Sequence, residues 1–233
     1  MTLPALNPDV LRAFRRAAPF VLALAGGLPA QTPAAKFVDS ARVEIDRAAA
    51  ARDADRLARA DLLLERALVV FPSDPWLLHY RGYAAYRRAI LALDGDRAAA
   101  DKFLERAADD LERSAEKLPW PETPALQSAV AGLRISLSPM RGMTLGMQVG
   151  EFDGRAATLG AGNPRVLLLQ AHGARNTPAE YGGSVERAKE LARRAMKAFE
   201  TDKPGPLAPA WGKDECAWLL KSLGVDTTRP PPG

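Results

Sequence analysis

Aromatic and imidazole side chains recur at helical spacing in the stretch that follows Pro75. Steps of three or four residues place side chains on one face of a helix, so these side chains form a single stripe. Such a surface can hold a peptide or an acidic ligand. The competing interpretation is packing between helices, with the hydroxyl groups hydrogen-bonded inside the core. The aromatic stripe consists of Trp76, His79, Tyr83 and Tyr86.

A second segment, which begins at Pro164, repeats this arrangement with basic residues. Counted from the proline, Arg165, His172 and Arg175 occupy three of the positions that the aromatic stripe occupies after Pro75. We predict that the two sets together form a partner-binding surface. For His172 alone, packing between helices is the interpretation that we favour.

The sequence lacks the residue patterns that are typical of catalytic or metal sites. Its two histidines have no metal ligand at helical spacing. The single cysteine, Cys216, excludes an intramolecular disulfide, and no histidine nearby in the sequence could activate it. Cys216 shares a helical face with Leu220 and Leu223, so we expect it in the core, with Gly224 ending its helix in a left-handed cap. We therefore predict a protein that is not an enzyme and has no cofactor.

Glycines recur every four residues from Gly142 to Gly154, beside Met140, Met143 and Met147. A glycine destabilises a helix by about 1 kcal/mol relative to alanine, so such a ridge needs a compensating contact. We favour close packing against another helix of the same repeat unit. The alternative is a flexible, methionine-lined slot that accepts an apolar ligand or a partner helix.

Amphipathic helices must position these residues. Ala60 and Ala67 flank Leu64 on one helical face, where small side chains let a neighbouring helix approach. Pro72 ends this helix, because proline cannot continue it. The Ser-Asp-Pro motif that follows supplies a capping side chain and a proline at the first helical position. Long stretches of Ala, Leu, Arg and Glu without strand-like alternation predict an all-α protein.

This pattern resembles the second helix and exit turn of a tetratricopeptide repeat (TPR). Gly82 stands where that family has a small residue in its first helix, and one family period back along the chain lies another small residue, Ala48. Gly132 and Ala171 mark further units at wider spacings, which we attribute to insertions. The resemblance covers residues 36 to 200 and implies a helix-turn-helix repeat solenoid of about eight or nine helices with a C-terminal capping helix.

The TPR resemblance also implies an inner groove lined by the first helix of each pair. It assigns both the aromatic stripe and the basic residues that follow Pro164 to this groove. The segment from Asn176 to Ser184, with its Thr-Pro and Gly-Gly pairs, and the later Trp211-Gly212 resemble a group of exported bacterial repeat proteins of unassigned function. Such a loop can carry function, and a structural latch between repeats explains it equally well.

Charge and composition narrow the function. The 233-residue chain has a net charge of +4, and its basic and acidic residues alternate along the helices, so nucleic-acid binding is not indicated. Three arginines precede a short apolar run that ends at Ala25, as in an export signal; the alternative is a frayed N-terminal helix. We predict a signal peptide over residues 1–30, a repeat domain over 31–224 and a disordered proline-rich tail over 225–233.

These observations predict a non-enzymatic scaffold or interaction protein, periplasmic or secreted, that binds a protein or peptide partner in its inner groove. The alternative is a periplasmic solute-binding accessory of a transporter, with a small ligand in a channel lined by the methionines and glycines. An open groove favours the first hypothesis, and a closed apolar cavity favours the second.

Overall fold

The computed structural model describes residues 34–225. Within this range the chain forms nine α-helices and no strand. The α-helices are α1 (Ala35–Ala51), α2 (Ala54–Val70), α3 (Pro75–Ala92), α4 (Arg97–Ala115), α5 (Glu122–Leu137), α6 (Gly142–Gly160), α7 (Pro164–Asn176), α8 (Val185–Thr201) and α9 (Lys213–Ser222). Single turns of 3-10 helix, Pro139–Arg141 and Ala179–Tyr181, precede α6 and α8.

The first eight helices form four consecutive pairs. The first helices of the pairs form a continuous inner row, since α1 packs against α3, α3 against α5 and α5 against α7. The second helices, α2, α4, α6 and α8, pack onto this row. This arrangement confirms the predicted all-α, helix-turn-helix repeat solenoid.

Every pair is longer than the repeat period that the sequence suggested. The first helices of the pairs begin at Ala35, Pro75, Glu122 and Pro164, and each step between them exceeds the TPR period. Ala48 lies in the last turn of α1, whereas Gly82 lies in the first half of α3. The predicted register that equates these two residues is therefore wrong, because both fit a helix without sharing a position in it. Membership of the TPR family stays a prediction.

Local capping explains where two of the inner helices begin. The Asp74 carboxylate accepts hydrogen bonds from the backbone N–H groups of Trp76 and Leu77 at the start of α3. The Asn163 side chain caps α7 in the same way, and a proline follows each capping residue. The Ser-Asp-Pro motif predicts the start of α3, and Pro164 predicts that of α7; both starts are confirmed.

Small residues set the distances between helices. Ala60, Leu64 and Ala67 are buried on α2, which packs against α1 and α3 as their spacing predicts. A Cβ atom added to Gly82 would lie 2.7 Å from Cγ of Leu111 in α4. Glycine at this position thus allows α3 and α4 to approach closely.

The segment between α7 and α8 forms a tight turn that backbone hydrogen bonds hold in place. Gly182 has a φ of +88°, and a Cβ atom on Gly183 would lie 1.6 Å from the carbonyl oxygen of Thr177. The backbone N–H of Ser184 donates a hydrogen bond of 2.8 Å to Ala174, and the Ser184 hydroxyl caps α8. Both glycines are therefore required by the turn itself, which supports the structural interpretation of this insertion.

The remaining predictions about domains fall on other parts of the chain. The predicted signal peptide over residues 1–30, and the predicted tail from residue 226 onward, lie outside the described residues. Between residues 34 and 225, no helix has the length and apolar character that crossing a bilayer requires.

Candidate functional site

The end of the chain covers the inner row of helices. After α8, residues 202–212 turn back across this row and lead into α9. We call residues 202–222 the C-terminal segment. Hydrogen bonds from three of the four first helices hold it: Arg42 of α1 to the carbonyl of Ala208, Tyr80 of α3 to the carbonyl of Leu207, and Arg165 of α7 to Asp202. The predicted inner groove is therefore occupied by the chain itself.

The aromatic stripe is largely buried. His79 and Tyr83 have no exposed surface, and Tyr86 is 5% exposed. Only Trp76 keeps a partly exposed ring. The prediction that this stripe stays open to a ligand is wrong, because α3 lies in the middle of the inner row and is covered from several sides. Whether these residues bind a partner stays a prediction.

The first half of the stripe packs against the start of α5. The ring of Trp120 lies edge-on to Trp76 and to His79, with centroids 3.8 Å and 5.2 Å apart. Nδ1 of His79 lies 2.9 Å from the hydroxyl of Thr123. Burial lowers the pKa of His79 to about 3, so this imidazole is neutral at neutral pH. This half of the stripe is interhelical core.

The second half of the stripe faces the C-terminal segment. Tyr83 stacks on Trp211, with centroids 5.0 Å apart and ring planes inclined by 14°. Nε1 of Trp211 has no hydrogen-bond partner among the described residues. The Tyr83 hydroxyl hydrogen-bonds to Asp46 of α1 and not to the C-terminal segment. Burial raises the pKa of Tyr83 well above its usual value of 10, so the phenol stays neutral. The contact is thus well stacked but poorly hydrogen-bonded.

Glu215, in the first turn of α9, anchors the C-terminal segment by its charge. Arg87 of α3 donates hydrogen bonds of 2.7 and 3.3 Å to its two carboxylate oxygens. Nε2 of His172 in α7 lies 3.1 Å from the same carboxylate. Burial favours the neutral acid, yet Arg87 and His172 outweigh it and lower the pKa of Glu215 to about 2. Glu215 is therefore ionised at neutral pH.

A second carboxyl group lies near Arg87, on α1. Burial raises the pKa of Asp46 to about 6, against the attraction of Arg87 and Arg42. A hydrogen bond with the Tyr83 hydroxyl also acts to lower the pKa of Asp46, and burial outweighs it. Sequence analysis missed Asp46, Arg87, Glu215 and Trp211 as one cluster, because residues on three separate helices and a loop give no common spacing.

The three basic residues predicted on α7 all contact the C-terminal segment. Arg165, which is only 2% exposed, binds Asp202 at 2.5 Å. His172 binds Glu215, and Arg175 reaches the end of α9. There Arg175 donates a 2.9 Å hydrogen bond to Ser222 and lies over the ring of Trp218. The residues predicted to bind a partner segment thus converge on a segment of their own chain.

Cys216 lies in the core, as its spacing predicts. It has no exposed surface, and its thiol donates a hydrogen bond to the carbonyl of Ala192 in α8. Burial raises the pKa of the thiol to about 12, so Cys216 is not a reactive thiolate at neutral pH. Helix α9 packs on α8 as expected of a capping helix, although it also covers the inner side of α7. Residues 34–225 contain no cluster of His, Cys, Asp or Glu side chains that could hold a metal ion.

Helix α6 and the 3-10 turn before it carry an apolar line that is exposed, unlike the buried aromatic stripe. Met140, Met143, Met147, Gly150 and Gly154 follow one another at steps of three and four residues, and we call this line the Met/Gly face. The methionines are 83%, 87% and 74% exposed. A Cβ atom added at Gly150 or Gly154 would meet nothing within 4 Å among the described residues. The favoured prediction, close packing within the repeat, is therefore wrong.

Helix α6 is attached to the fold through its other side. It packs mainly on α5, and Ala156 is its buried residue. Leu145, Val149 and Phe152, which lie on the same side as Ala156, are partly buried. Contact between α6 and α7 is slight. Among residues 34–225, little besides α5 covers α6, so its Met/Gly face is exposed there.

An open cleft of about 690 Å³ adjoins the Met/Gly face. Its volume lies within the range of roughly 300–1,000 Å³ that is usual for ligand sites. Gly154 belongs to both the cleft and the Met/Gly face, so the two form one continuous surface. The cleft is lined by Ala115, Leu118, Pro119 and Pro124 on one side and by Glu151, Gly154, Arg155, Thr158 and Leu159 of α6 on the other.

No protein-family model matches this chain, and no curated protein sequence matches it. A solved structure does match, that of the HusA haemophore from Porphyromonas gingivalis, with a TM-score of 0.68. The sequences are 24% identical, and the match covers 87% of this chain and 98% of the haemophore chain. At this level of identity, the match shows that the two chains share a fold.

Proposed function

We propose that this protein is a non-enzymatic binding protein of the bacterial cell envelope that holds a large apolar ligand of the haem type on its Met/Gly face. The observation that carries the proposal is the exposure of three methionines in one line with two unobstructed glycines. Exposed apolar surface of this kind marks interaction sites in proteins. The fold shared with a haemophore supports the same assignment.

The glycines of α6 destabilise the helix but allow a ligand to approach its backbone. Each interior glycine destabilises the helix by about 0.5–1 kcal/mol, and no contact within the described residues offsets this at Gly150 or Gly154. A flat molecule that lies on these glycines would approach the backbone closely. Methionine side chains beside it are flexible enough to adjust to its outline. The compensating contact would then come from the ligand.

Haem matches the chemistry of this surface in two ways. Methionine thioethers are known ligands of haem iron, and Met143 and Met147 are free to move toward a bound metal. Arg155, at the edge of the cleft, offers a guanidinium group to the carboxylates that haem carries. The apolar ring would therefore lie over Gly150 and Gly154, with its acidic edge toward Arg155.

An enzyme is a weaker alternative. The shifted pKa values of Asp46 and Glu215 around Arg87 meet one criterion for an active site. These groups nevertheless lie at the contact between the C-terminal segment and the inner helices, where a substrate has no access. Ion-pair networks also shift pKa values in the same way. We therefore interpret the cluster as the anchor of the segment.

A partner helix is the second candidate for the Met/Gly face. Its alternating steps of three and four residues are also the spacing of a seam between two helices. This alternative predicts association of the protein with another chain, or with itself, rather than binding of a small ligand. Alanine substitutions of the methionines distinguish a partner helix from a small ligand.

Titration of the full chain with haemin, followed by absorbance, tests the proposal. We expect saturable binding that Met143→Ala and Met147→Ala weaken by about tenfold or more. Iron-free protoporphyrin separates the two contributions, because methionine ligation needs the iron whereas apolar contact does not. Its binding should therefore depend less on the methionines.

Val70→Ala is the matched control, since Val70 is also an exposed apolar residue, at the end of α2. This variant should bind haemin like the unmodified protein. Absence of saturable binding, or equal loss in the control, would contradict the proposal. Loss of a concentration-dependent dimer in the methionine variants alone would assign the face to a partner helix instead.

A further inference from the structure

We propose that the inner groove is a second binding site, for a segment of another protein that carries an aromatic ring followed four residues later by a carboxylate. The chain's own C-terminal segment fills this site and competes for it. This inference is independent of the haem proposal, because none of the groove residues lies on the Met/Gly face.

The C-terminal segment shows which chemistry the groove accepts. Trp211 fills the slot over Tyr83, where the two rings stack. Glu215, four residues later, meets Arg87 and His172. An incoming segment with the same two groups at the same spacing would satisfy the same contacts.

The charge of the groove favours an acidic partner. Five basic side chains from three inner helices face the C-terminal segment: Arg42, Arg87, Arg165, His172 and Arg175. Three carboxyl groups of the inner helices face them: Asp39 lies 2.9 Å from Arg42, Glu122 lies 3.8 Å from Arg165, and Asp46 lies near Arg87 with its charge disfavoured by burial. Basic groups therefore remain in excess. A segment that brings a carboxylate therefore enters a site of complementary charge.

The fit of the C-terminal segment is incomplete, so another occupant can bind better. Buried polar groups without hydrogen bonds are rare in native proteins and destabilise the contact that buries them. Two such atoms lie where α3 meets the segment. They are Nε of Arg87 and Nε1 of Trp211. A partner that offers hydrogen-bonding groups here would remove this defect.

The connection from α8 to α9 holds the segment under strain. Leu207 has a φ of +62°, a left-handed conformation that is unfavourable for a branched residue. The Tyr80 hydroxyl fixes it through a 2.6 Å hydrogen bond to its carbonyl oxygen. Three prolines and one glycine within residues 203–209 limit other backbone hydrogen bonds. Release of the segment would relieve this strain.

A fluorescent peptide that copies residues 203–222 tests the proposal in trans. The full chain should bind it weakly, because the attached segment acts at a high effective concentration. A chain with Trp211→Ala should bind the unmodified peptide at least tenfold more tightly. The peptide should lose this affinity when it carries Glu215→Gln or when its residues are scrambled.

Lys221→Ala is the matched control chain, since Lys221 lies on the same segment and its side chain is exposed. It should bind the peptide like the unmodified chain. If circular dichroism shows that Trp211→Ala has lost helix, the Glu215→Gln chain replaces it. This substitution weakens the attachment of the C-terminal segment and keeps every aromatic ring. Equal binding by all chains, or binding by none, would overturn the proposal.

Two further readouts separate this inference from its alternatives. Haemin binding should be the same in the Trp211→Ala and unmodified chains, so failure of either proposal leaves the other standing. Dimers of the unmodified chain that exchange their C-terminal segments would assign the groove to a second copy and would overturn the assignment to a different protein.

Discussion

The inner groove and the Met/Gly face are built from the same kind of sequence pattern, but the groove is covered and the Met/Gly face is exposed. Both consist of residues at steps of three and four along a helix. The groove was expected to be open and is filled by residues 202–222, whereas the glycine ridge was expected to be packed and is open. Helical spacing therefore identifies which residues share a face, and it does not identify what covers that face.

The number of neighbours around each helix explains the difference. Helix α3 packs against α1, α2, α4 and α5, and the C-terminal segment covers its remaining side. Helix α6 packs mainly on α5. A stripe on a central helix becomes core whatever its composition, and an apolar line on a peripheral helix stays available for another molecule.

The largest expected effect comes from removing a ring beneath the C-terminal segment. Tyr83→Ala should lower the free energy of unfolding by about 3–5 kcal/mol, because it leaves a cavity in a fully buried site. Met147→Ala, on the Met/Gly face, should change it by about 0.5 kcal/mol or less. Denaturant unfolding of both variants measures this. Similar values for the two would abolish the distinction between the regions.

Two buried groups of the inner helices, His79 of α3 and Asp46 of α1, should make large and opposite contributions to the pH dependence of stability. The pKa of His79 is about 3 in the folded chain against 6.5 in the unfolded one, so its contribution to stability is lost as pH falls from 6.5 to 3. The pKa of Asp46 is raised from 3.8 to about 6, so its contribution is lost in the opposite direction, as pH rises from about 4 to 6. The two contributions offset each other between pH 6 and 4.

Variants at these two positions should separate the two contributions. When the pH falls from 7 to 4.5, His79 should lower the free energy of unfolding by about 2–3 kcal/mol, and Asp46 should raise it by about 2 kcal/mol. His79→Gln should abolish the first change, and Asp46→Asn should abolish the second. Unfolding free energies at both pH values provide the test, and Met147→Ala is the reference variant. Parallel pH profiles for all three proteins would show that His79 and Asp46 do not control this dependence.

Smaller effects of opposite sign are expected at glycines. Gly150→Ala and Gly154→Ala should each stabilise the protein by about 0.5–1 kcal/mol, because the added methyl meets open space. Both should weaken haemin binding, since the methyl groups hold the ligand away from the helix. Gly82→Ala should destabilise the protein by about 1–3 kcal/mol, because its Cβ would clash with Leu111. Thermal melting and haemin titration together check these signs.

Sequence analysis succeeded where the cause is local. The capping of α3 by Asp74 and the glycine pair before α8 depend on neighbours within a few residues, and the sequence displays these neighbours directly. The small-residue face of α2 needs only helical periodicity. These features sufficed to predict the helix-turn-helix architecture.

The filling of the groove depends on contacts between distant parts of the chain. Tyr80 and Leu207 are 127 residues apart, and Arg87 and Glu215 are 128 apart. Residues 202–212 have no helical or strand periodicity that would predict where they lie. The basic residues of α7 could therefore be found from the sequence, but the segment that they contact could not.

Methionine methyl signals in the NMR spectrum test the central claim most directly. The chain has five methionines, three of which lie on the Met/Gly face, while Met196 in α8 is partly buried. In the free protein a soluble relaxation agent should broaden the signals of Met140, Met143 and Met147 and spare that of Met196. One equivalent of haemin, whose iron is paramagnetic, should then broaden the same three signals. Broadening of all signals alike, or of none, would contradict a ligand site on α6.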